Sequence, residues 1–314
     1  MSSYQRMIES ITETILKKEL PYRNTIMLGE NASGKSQILK MVMEQCDKNE
    51  YYFIDSVNRG FNISEVSLKE MDIIKLHYSE KINENRILEE NYNLKDTFFW
   101  NGQATNHIGE IYPYFAESLN RLLKKFWNIE LTIKQEIFKT SYINEEEMAL
   151  SNGYQAVIRI LLELVFFDTY TKEIKDRTVI IDEIDEYLHP KTNAAFFQFL
   201  VNTFQDIRFL ITTHSADLVA SIDNCNLIVL SGDTWERLDS GDYNSVSYAN
   251  SLFSVKSYSD NQLTPKEKND ILIRNLLNNK MSGVWKSEDE EMLYELKNGE
   301  LTLTQKFMLK QIEG

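Results

Sequence analysis

The chain has 314 residues, with 48 acidic against 34 basic side chains and a formal net charge of -14, a balance that repels a phosphate backbone and argues against broad nucleic-acid binding by the whole surface. That length buries about 75% of the unfolded surface, enough for one large domain or two smaller ones without staples, and Cys46 and Cys225 form neither a disulfide framework nor a CxxC site. No leader-like apolar core opens the sequence, and the most apolar run, 158–167, is short and broken by Arg159 and Glu163, so a soluble, cytoplasmic protein with no membrane partner is expected.

In chain order, residues 4–18 carry apolar side chains at helical spacing and predict an amphipathic helix. Residues 24–28 predict a short strand running into a glycine loop, and 35–44 a helix. A second strand is expected at 51–54, then a turn-rich segment, 55–62, around Asn58 and Gly60. From about 65 to 145 the sequence is polar and charged and reads as mostly helical, with an aromatic patch at Phe98, Phe99 and Trp100. Arg121, Lys124 and Lys125 are candidates for a local basic groove, and a solvated helix face explains them as well.

Residues 154–167 predict a helix apolar nearly all round, hence buried between layers. A strand at 178–181, a helix at 191–204 and a strand at 208–212 follow. Such alternation predicts an α/β fold with a mostly parallel sheet covered on both faces. Residues 226–230 and 234–238, joined by Ser231, Gly232 and Asp233, read as a closing hairpin. Past 255 the pattern turns helical, with Pro265 at a helix start and Ser287 with Glu290 as a capping box. This divides the chain into a nucleotide-binding domain, 1–240, with a helical insertion at about 65–145, and a mainly helical region, 241–314.

Four segments carry chemistry. GENASGKS, Gly29 through Ser36, fits GxxxxGK[ST] between a strand and a helix. Gly29 and Gly34 permit backbone angles that point successive N–H groups into one concavity, and the helix from Lys35 adds its positive end. In such a loop Lys35 reaches the β- and γ-phosphates of ATP and the Ser36 hydroxyl ligates Mg²⁺. Gly29, Asn31, Ser33, Gly34, Lys35, Ser36 and Gln37 are the candidate nucleotide-contacting residues.

In TVIIDEIDE an apolar strand ends in Asp182 and Glu183, at the carboxyl edge where open α/β sheets bind ligands. There Asp182 would hold Mg²⁺ and Glu183 would orient or deprotonate the attacking water. Asp185 and Glu186 carry no such assignment. His214, in THS after the strand FLITT, sits at another carboxyl edge and is a candidate contact for a γ-phosphate or the water. In LSNGYQ, residues 150–155, Ser151 can cap the helix that follows and the backbone at Gly153 can approach a phosphate. One nucleotide has only one P-loop, so the simplest use of a second phosphate-binding helix start is to close over ATP held by another subunit.

Together these segments resemble the ABC-class ATPases, in particular the soluble branch that includes RecF, SMC and OLD (overcoming lysogenization defect) proteins, of the kind found as AAA family ATPases in prokaryotic defence. GENASGKS looks like that branch's GxNxSGKS Walker A, LSNGYQ like its LSxGxQ signature, IIDEIDEYLHP like its Walker B and D-loop, and ITTHS like its H-loop. The resemblance implies an ABC-type P-loop fold and a head-to-tail homodimer sandwiching two ATP molecules, each signature serine contacting the other copy's nucleotide. It also implies Glu183 as catalytic base, His214 as switch histidine, and 188–190 as a D-loop near the dimer interface.

The chain departs from the family in three places. The residues ahead of Gly29 read as helical, so the usual antiparallel subdomain is reduced, and Tyr22 is the candidate adenine-stacking aromatic. After the second strand the sequence reads DSVNRGF where a Q-loop glutamine is expected, leaving Asn58, Arg59 or the later Gln103 as substitutes. No heptads mark a coiled-coil arm, and NLIVLSGDTWE lacks the opening of the OLD nuclease half. The function expected is an ATP-driven switch acting on a separate effector protein, such as a nuclease or toxin in antiviral defence. The alternatives are a RecF-like DNA-repair ATPase, which binds DNA directly, and a transporter ATPase subunit.

Overall fold

The computed structural model describes residues 2–17, 20–69, 78–98, 108–135, 137–215, 218–219, 224–231, 234–238, 268–270, 272–273, 276–277, 280, 285–299 and 301–313. Two compact units emerge, one of residues 1–38 with 212–314 and the other of residues 39–211.

The first unit opens with α1 (Ser3–Leu16), whose Ser2 Oγ accepts from the Gln5 amide at 3.1 Å. Its buried stripe, Met7, Ile8, Ile11, Thr12 and Ile15, follows helical spacing. β1 (Asn24–Gly29) is buried at every position and pairs in parallel with β8 (Cys225–Ser231), Asn24 opposite Cys225 through Gly29 opposite Leu230. β8 turns back against β9 (Thr234–Leu238) in an antiparallel pair, the expected hairpin. The buried Asn226 side chain braces the entry to β1: it donates to the Tyr22 and Asn24 carbonyls at 2.7 and 3.0 Å and accepts from the Tyr22 amide at 2.9 Å.

Two helices end this unit, α7 (Ser287–Lys297) and α8 (Leu303–Glu313). The capping box expected from Ser287 and Glu290 does not form: the cap is Lys286, whose side chain cannot accept, and only the return bond is made, Asp289 Oδ2 accepting from the Lys286 amide at 2.8 Å. Ser287 is the first helical residue and not the cap, so Glu290 lies one position too far along the helix to return the bond. A reciprocal box starts α8, where Thr302 Oγ1 accepts from the Gln305 amide at 3.2 Å and Gln305 Oε1 from the Thr302 amide at 3.0 Å. α8 buries Phe307, Met308 and Ile312 and packs on β8, β9 and α7. Pro265, Gly232 and Asp233 lie outside the described residues.

In the second unit β2 (Tyr51–Ile54) pairs in parallel with β6 (Thr178–Ile181), and β6 with β7 (Arg208–Thr213). All four residues of β2 are buried, as suits a strand covered on both faces. The helices of this part of the chain are α2 (Lys35–Gln45), α3 (Tyr78–Arg86), α4 (Tyr112–Trp127), α5 (Asn152–Thr171) and α6 (Pro190–Thr203). The division between the units falls within α2 and within β7. α5 is buried without a break from Ala156 to Phe167, and α4 packs on it, with the Phe115 and Phe166 rings edge to face at 6.3 Å. Asn128 ends α4 in the left-handed conformation, φ 56°.

Within 65–145 the described helices are joined by an antiparallel sheet that the sequence reading missed: β3 (Leu131–Gln135), β4 (Lys139–Ile143) and β5 (Glu146–Glu147). Leu131 and Ile133 point inward and Thr132 and Lys134 outward. That alternation is two residues deep, too short to stand out beside a run of charges. Phe98 is buried, while Phe99 and Trp100 lie outside the described residues.

The two charges that interrupt the apolar face of α5 are themselves buried. Glu163 Oε2 accepts from Arg86 Nη1 at 2.8 Å and from Tyr52 Oη at 2.7 Å, and its other oxygen accepts from Arg159 Nε at 2.5 Å. Arg159 also grips Asp96 with two parallel bonds of 3.0 and 2.9 Å. Burial alone would raise the Glu163 carboxyl; Arg86 and Arg159 outweigh it and hold the pKa down at about 2 against an ordinary 4.5. A depressed carboxylate stabilises the fold above its unfolded pKa, so this contribution is complete above about 4.5 and is lost as pH falls toward 2. Glu163→Gln removes the charge that both arginines were buried against, and urea unfolding at neutral pH is expected to show a loss of about 3–5 kcal/mol. A loss that persists unchanged at pH 3 would contradict this account.

Candidate functional site

The phosphate loop lies wholly in the first unit. β1 delivers the chain to Gly29 and α2 carries it away from Lys35. Between them Ala32, at φ 61°, and Gly34, at φ 98°, turn the backbone left-handed, the alternation that makes an anion nest. Gly34 thus meets the expectation of an unusual backbone angle. Gly29 is needed for space instead, because a Cβ there would stand 2.6 Å from Ser33 Oγ. A Cβ on Gly34 would also strike Tyr4 Oη at 2.6 Å. Tyr4 therefore rests on the loop from α1, and its hydroxyl lies 3.3 Å from Gln37 Oε1.

Lys35 is 4% exposed and curls into the loop, Nζ donating to the carbonyls of Gly29 and Glu30 at 2.9 Å each. His214 arrives from the end of β7: its Nδ1 lies 2.9 Å from the same Gly29 carbonyl and 3.3 Å from Lys35 Nζ. The lysine and the histidine singled out in the sequence, 179 positions apart, are thus in contact through one backbone oxygen. Across the mouth of the loop Lys310 of α8 pairs with Glu30 at 2.9 Å. The residues fit a bound phosphate: the loop offers a buried ammonium, a left-handed nest and Ser33 Oγ, which is buried with no hydrogen-bond partner. Ser36 starts α2 beside them, while Asn31 is exposed at the loop's outer turn.

The acidic turn lies in the second unit. Asp182, fully buried, continues the β2–β6 pairing through its amide to the Ile54 carbonyl at 3.0 Å. Glu183 follows at φ 55° and is half-buried. Its carbonyl accepts from the Glu186 amide at 3.0 Å and the Asp185 carbonyl from the Leu188 amide at 3.1 Å, closing two turns before α6. The Asp182 carboxylate here, and separately the Ser36 hydroxyl of the first unit, are each hard oxygen donors of the kind that suits Mg²⁺.

Asn93 and Tyr92, which the sequence did not mark, bear on this turn, as does Arg59. Asn93, itself left-handed at φ 53°, donates from Nδ2 to Asp182 Oδ2 at 2.8 Å and accepts from the Ser56 amide at 3.2 Å. Tyr92 beside it stacks on Phe53 of β2 at 5.5 Å, and burial, then Asp182 and Asp55, push its phenol well above the usual range. Arg59 donates from Nη2 to the carbonyls of Asp182 at 2.7 Å and Glu183 at 3.4 Å. Burial pulls the Arg59 guanidinium down, with the Asp55, Glu163 and Asp182 carboxylates opposing. Asn58, offered with Arg59 as a Q-loop substitute, is fully buried, and its Oδ1 accepts from Arg159 at 2.6 Å and Arg86 at 3.2 Å. Gln103 lies outside the described residues.

The LSNGYQ segment forms the entry to α5. Ser151 is exposed and caps the helix, its Oγ accepting from the Tyr154 amide at 3.4 Å. A Cβ on Gly153 would approach the Tyr187 carbonyl to 3.3 Å, which places the helix start against the segment after the acidic turn. Tyr187 is left-handed, at φ 64°, and exposed. Gln155 ties the same helix start to the loop after β2: Oε1 accepts from the Phe61 amide at 3.2 Å and Nε2 donates to the Leu150 carbonyl at 3.0 Å. Arg121, Lys124 and Lys125 sit on the exposed side of α4 in a groove shared with Glu117 and Glu130, so the surface there is of mixed sign.

Among the described residues no helix is long and apolar enough to cross a membrane. Comparison with known proteins places the chain among named relatives. Residues 45–220 match the AAA_21 family, described as AAA domain, putative AbiEii toxin, Type IV TA system. The Septu protein PtuA of Bacillus mycoides is 36% identical over 80 residues, which are 25% of this chain and 11% of that protein. A retron Ec83 probable ATPase of Escherichia coli is 28% identical over 154 residues, 46% of this chain and 28% of that protein. The matched part is thus well under two thirds of either relative. Among solved structures, the SMC head domain from Thermotoga maritima aligns over 69% of this chain and 90% of that one, with 14% identity and a TM-score of 0.35. With more than half of its residues matched, the chain belongs to this AAA-domain family of ATPases.

Proposed function

We propose that the chain is a Mg²⁺-dependent ATPase that works as a head-to-tail homodimer and switches a separate effector, such as a nuclease or toxin in antiviral defence. The observation that carries this reading is the cluster on the Gly29 carbonyl, where the buried Lys35 ammonium meets His214 Nδ1. A lysine already held at the base of a nest keeps its charge where phosphate oxygens dock, without having to be ordered on binding. Bound Mg²⁺ and ATP supply the phosphoryl group and the metal charge that polarises it.

The chain's own residues do the rest. Lys35 offers N–H donors to the phosphates, and the loop amides orient them. Glu183 takes the proton of the attacking water while its backbone turn holds the carboxyl's direction. His214, pinned through Nδ1 in the tautomer that donates to Gly29, presents a defined ring edge to the nucleotide. Ser151, exposed at a helix start, offers its hydroxyl and the helix N-terminus to the nucleotide of a second copy. The family's description as a putative toxin of a Type IV TA system, and relatives named a Septu protein and a retron ATPase, support an effector of that kind.

Light scattering of the purified chain in ATP, in ADP and without nucleotide, run beside a phosphate-release assay with and without Mg²⁺, tests the proposal. A dimer in ATP, a monomer in ADP and release only with Mg²⁺ are expected. A monomer under every condition would remove the composite site. Duplex DNA added over a salt series is expected to leave the rate unchanged, given the net charge of -14 and the mixed-sign groove on α4.

A further inference from the structure

Glu183 stands at φ 55°, a conformation that disfavours any residue with a Cβ and persists only where its surroundings over-determine it. The torsion φ is set by the carbonyl carbons on either side of it, those of Asp182 and Glu183. Both carbonyl oxygens accept from the same atom, Arg59 Nη2, at 2.7 and 3.4 Å. One guanidinium nitrogen therefore spans the strained torsion. The other, Nη1, donates to the Asp55 and Asn58 carbonyls at 2.9 and 3.2 Å and fixes the fork to the loop leaving β2. That loop is itself immobilised, through Asn58 to Arg86 and Arg159 and through the Phe61 amide to Gln155. Arg59 is 2% exposed, so water does not compete for these bonds.

We propose that Arg59 is the positioning residue of the acidic turn: it holds Glu183 in the left-handed conformation and so sets the direction of its carboxyl. This rests on the reading of Glu183 as the general base. A rigid planar fork meets four carbonyls at two anchoring points, and a lysine ammonium, a single point on a flexible stem, cannot.

The test uses the full chain as Arg59→Lys and Arg59→Gln. Turnover is expected to fall about 100-fold, the effect of a small misplacement of a reacting group, while KM and the affinity for a fluorescent ATP analogue stay unchanged. Amide exchange is expected to quicken at 182–188 and to remain as it was at 24–45. The pair Arg59→Lys with Glu183→Gln is expected to be no slower than Glu183→Gln alone, since the arginine acts through the glutamate. Wild-type turnover in both variants, exchange that quickens evenly along the chain, or additive losses in the pair would each overturn the proposal. So would failure of both variants to fold, which would make Arg59 a residue of folding only. Full turnover in Glu183→Gln by itself would instead remove the base assignment, and the exchange data would still report whether Arg59 holds the turn.

Discussion

Glu183→Gln is expected to slow ATP turnover by about 100- to 10,000-fold, the usual contribution of a positioned general base, while leaving nucleotide binding intact. The amide matches the carboxylate in shape, and the bonds that Glu183 makes through its backbone, to Arg59 and to the Glu186 amide, do not depend on the side chain. The carboxylate's charge and its capacity to take a proton are lost. Lys35 and the nest lie in the first unit, so binding is expected to persist and the closed dimer to accumulate in ATP. Single-turnover phosphate release together with light scattering checks both halves. A rate near that of the unaltered chain would place the base elsewhere.

Ser151→Arg is expected to abolish turnover of the pure variant while its own P-loop still binds ATP. Ser151 is exposed, and its cap on the Tyr154 amide is long, at 3.4 Å, so the cost to the fold is about 1 kcal/mol or less. A large cation at the helix start would obstruct a nucleotide presented by another copy. The decisive measurement mixes Ser151→Arg chains with Lys35→Ala chains, each inactive alone. A head-to-tail pair then rebuilds one composite site from the sound P-loop of one chain and the sound signature of the other. Recovery of activity on mixing is expected; its absence, with mixed dimers demonstrated, would defeat the shared-site reading.

β2 and β6 were readable to the residue because fully buried parallel strands appear as bare apolar runs, and 51–54 and 178–181 are such runs. The P-loop, the acidic turn and the helix entry at Ser151 were readable because each must keep a fixed residue order on a single local element. β3 to β5 were not, since their alternation spans only a few residues within charged sequence. The capping box expected on α7 does not form, because the helix begins at Ser287 itself and the sequence does not say where the helix begins.

By itself the sequence determined the chemistry on offer: a phosphate loop at Gly29 to Ser36, a strand ending in Asp182 and Glu183, a histidine after the next strand, and a capped helix start at Ser151. Spacing along one element carries that information, because helix and strand periods are local. Tertiary structure decided how those groups are held. It put His214 and Lys35 on one carbonyl, made Gly29 a matter of room and Gly34 one of angle, set Tyr4 against the loop, and gave the acidic turn its supports in Asn93 and Arg59. Those contacts join residues far apart in the chain, and backbone carbonyls, which every residue carries, do much of the joining. No pattern of side chains announces which carbonyl a distant guanidinium will meet, so the contacts of Arg59 and Asn93 with the acidic turn became visible only once the chain was folded.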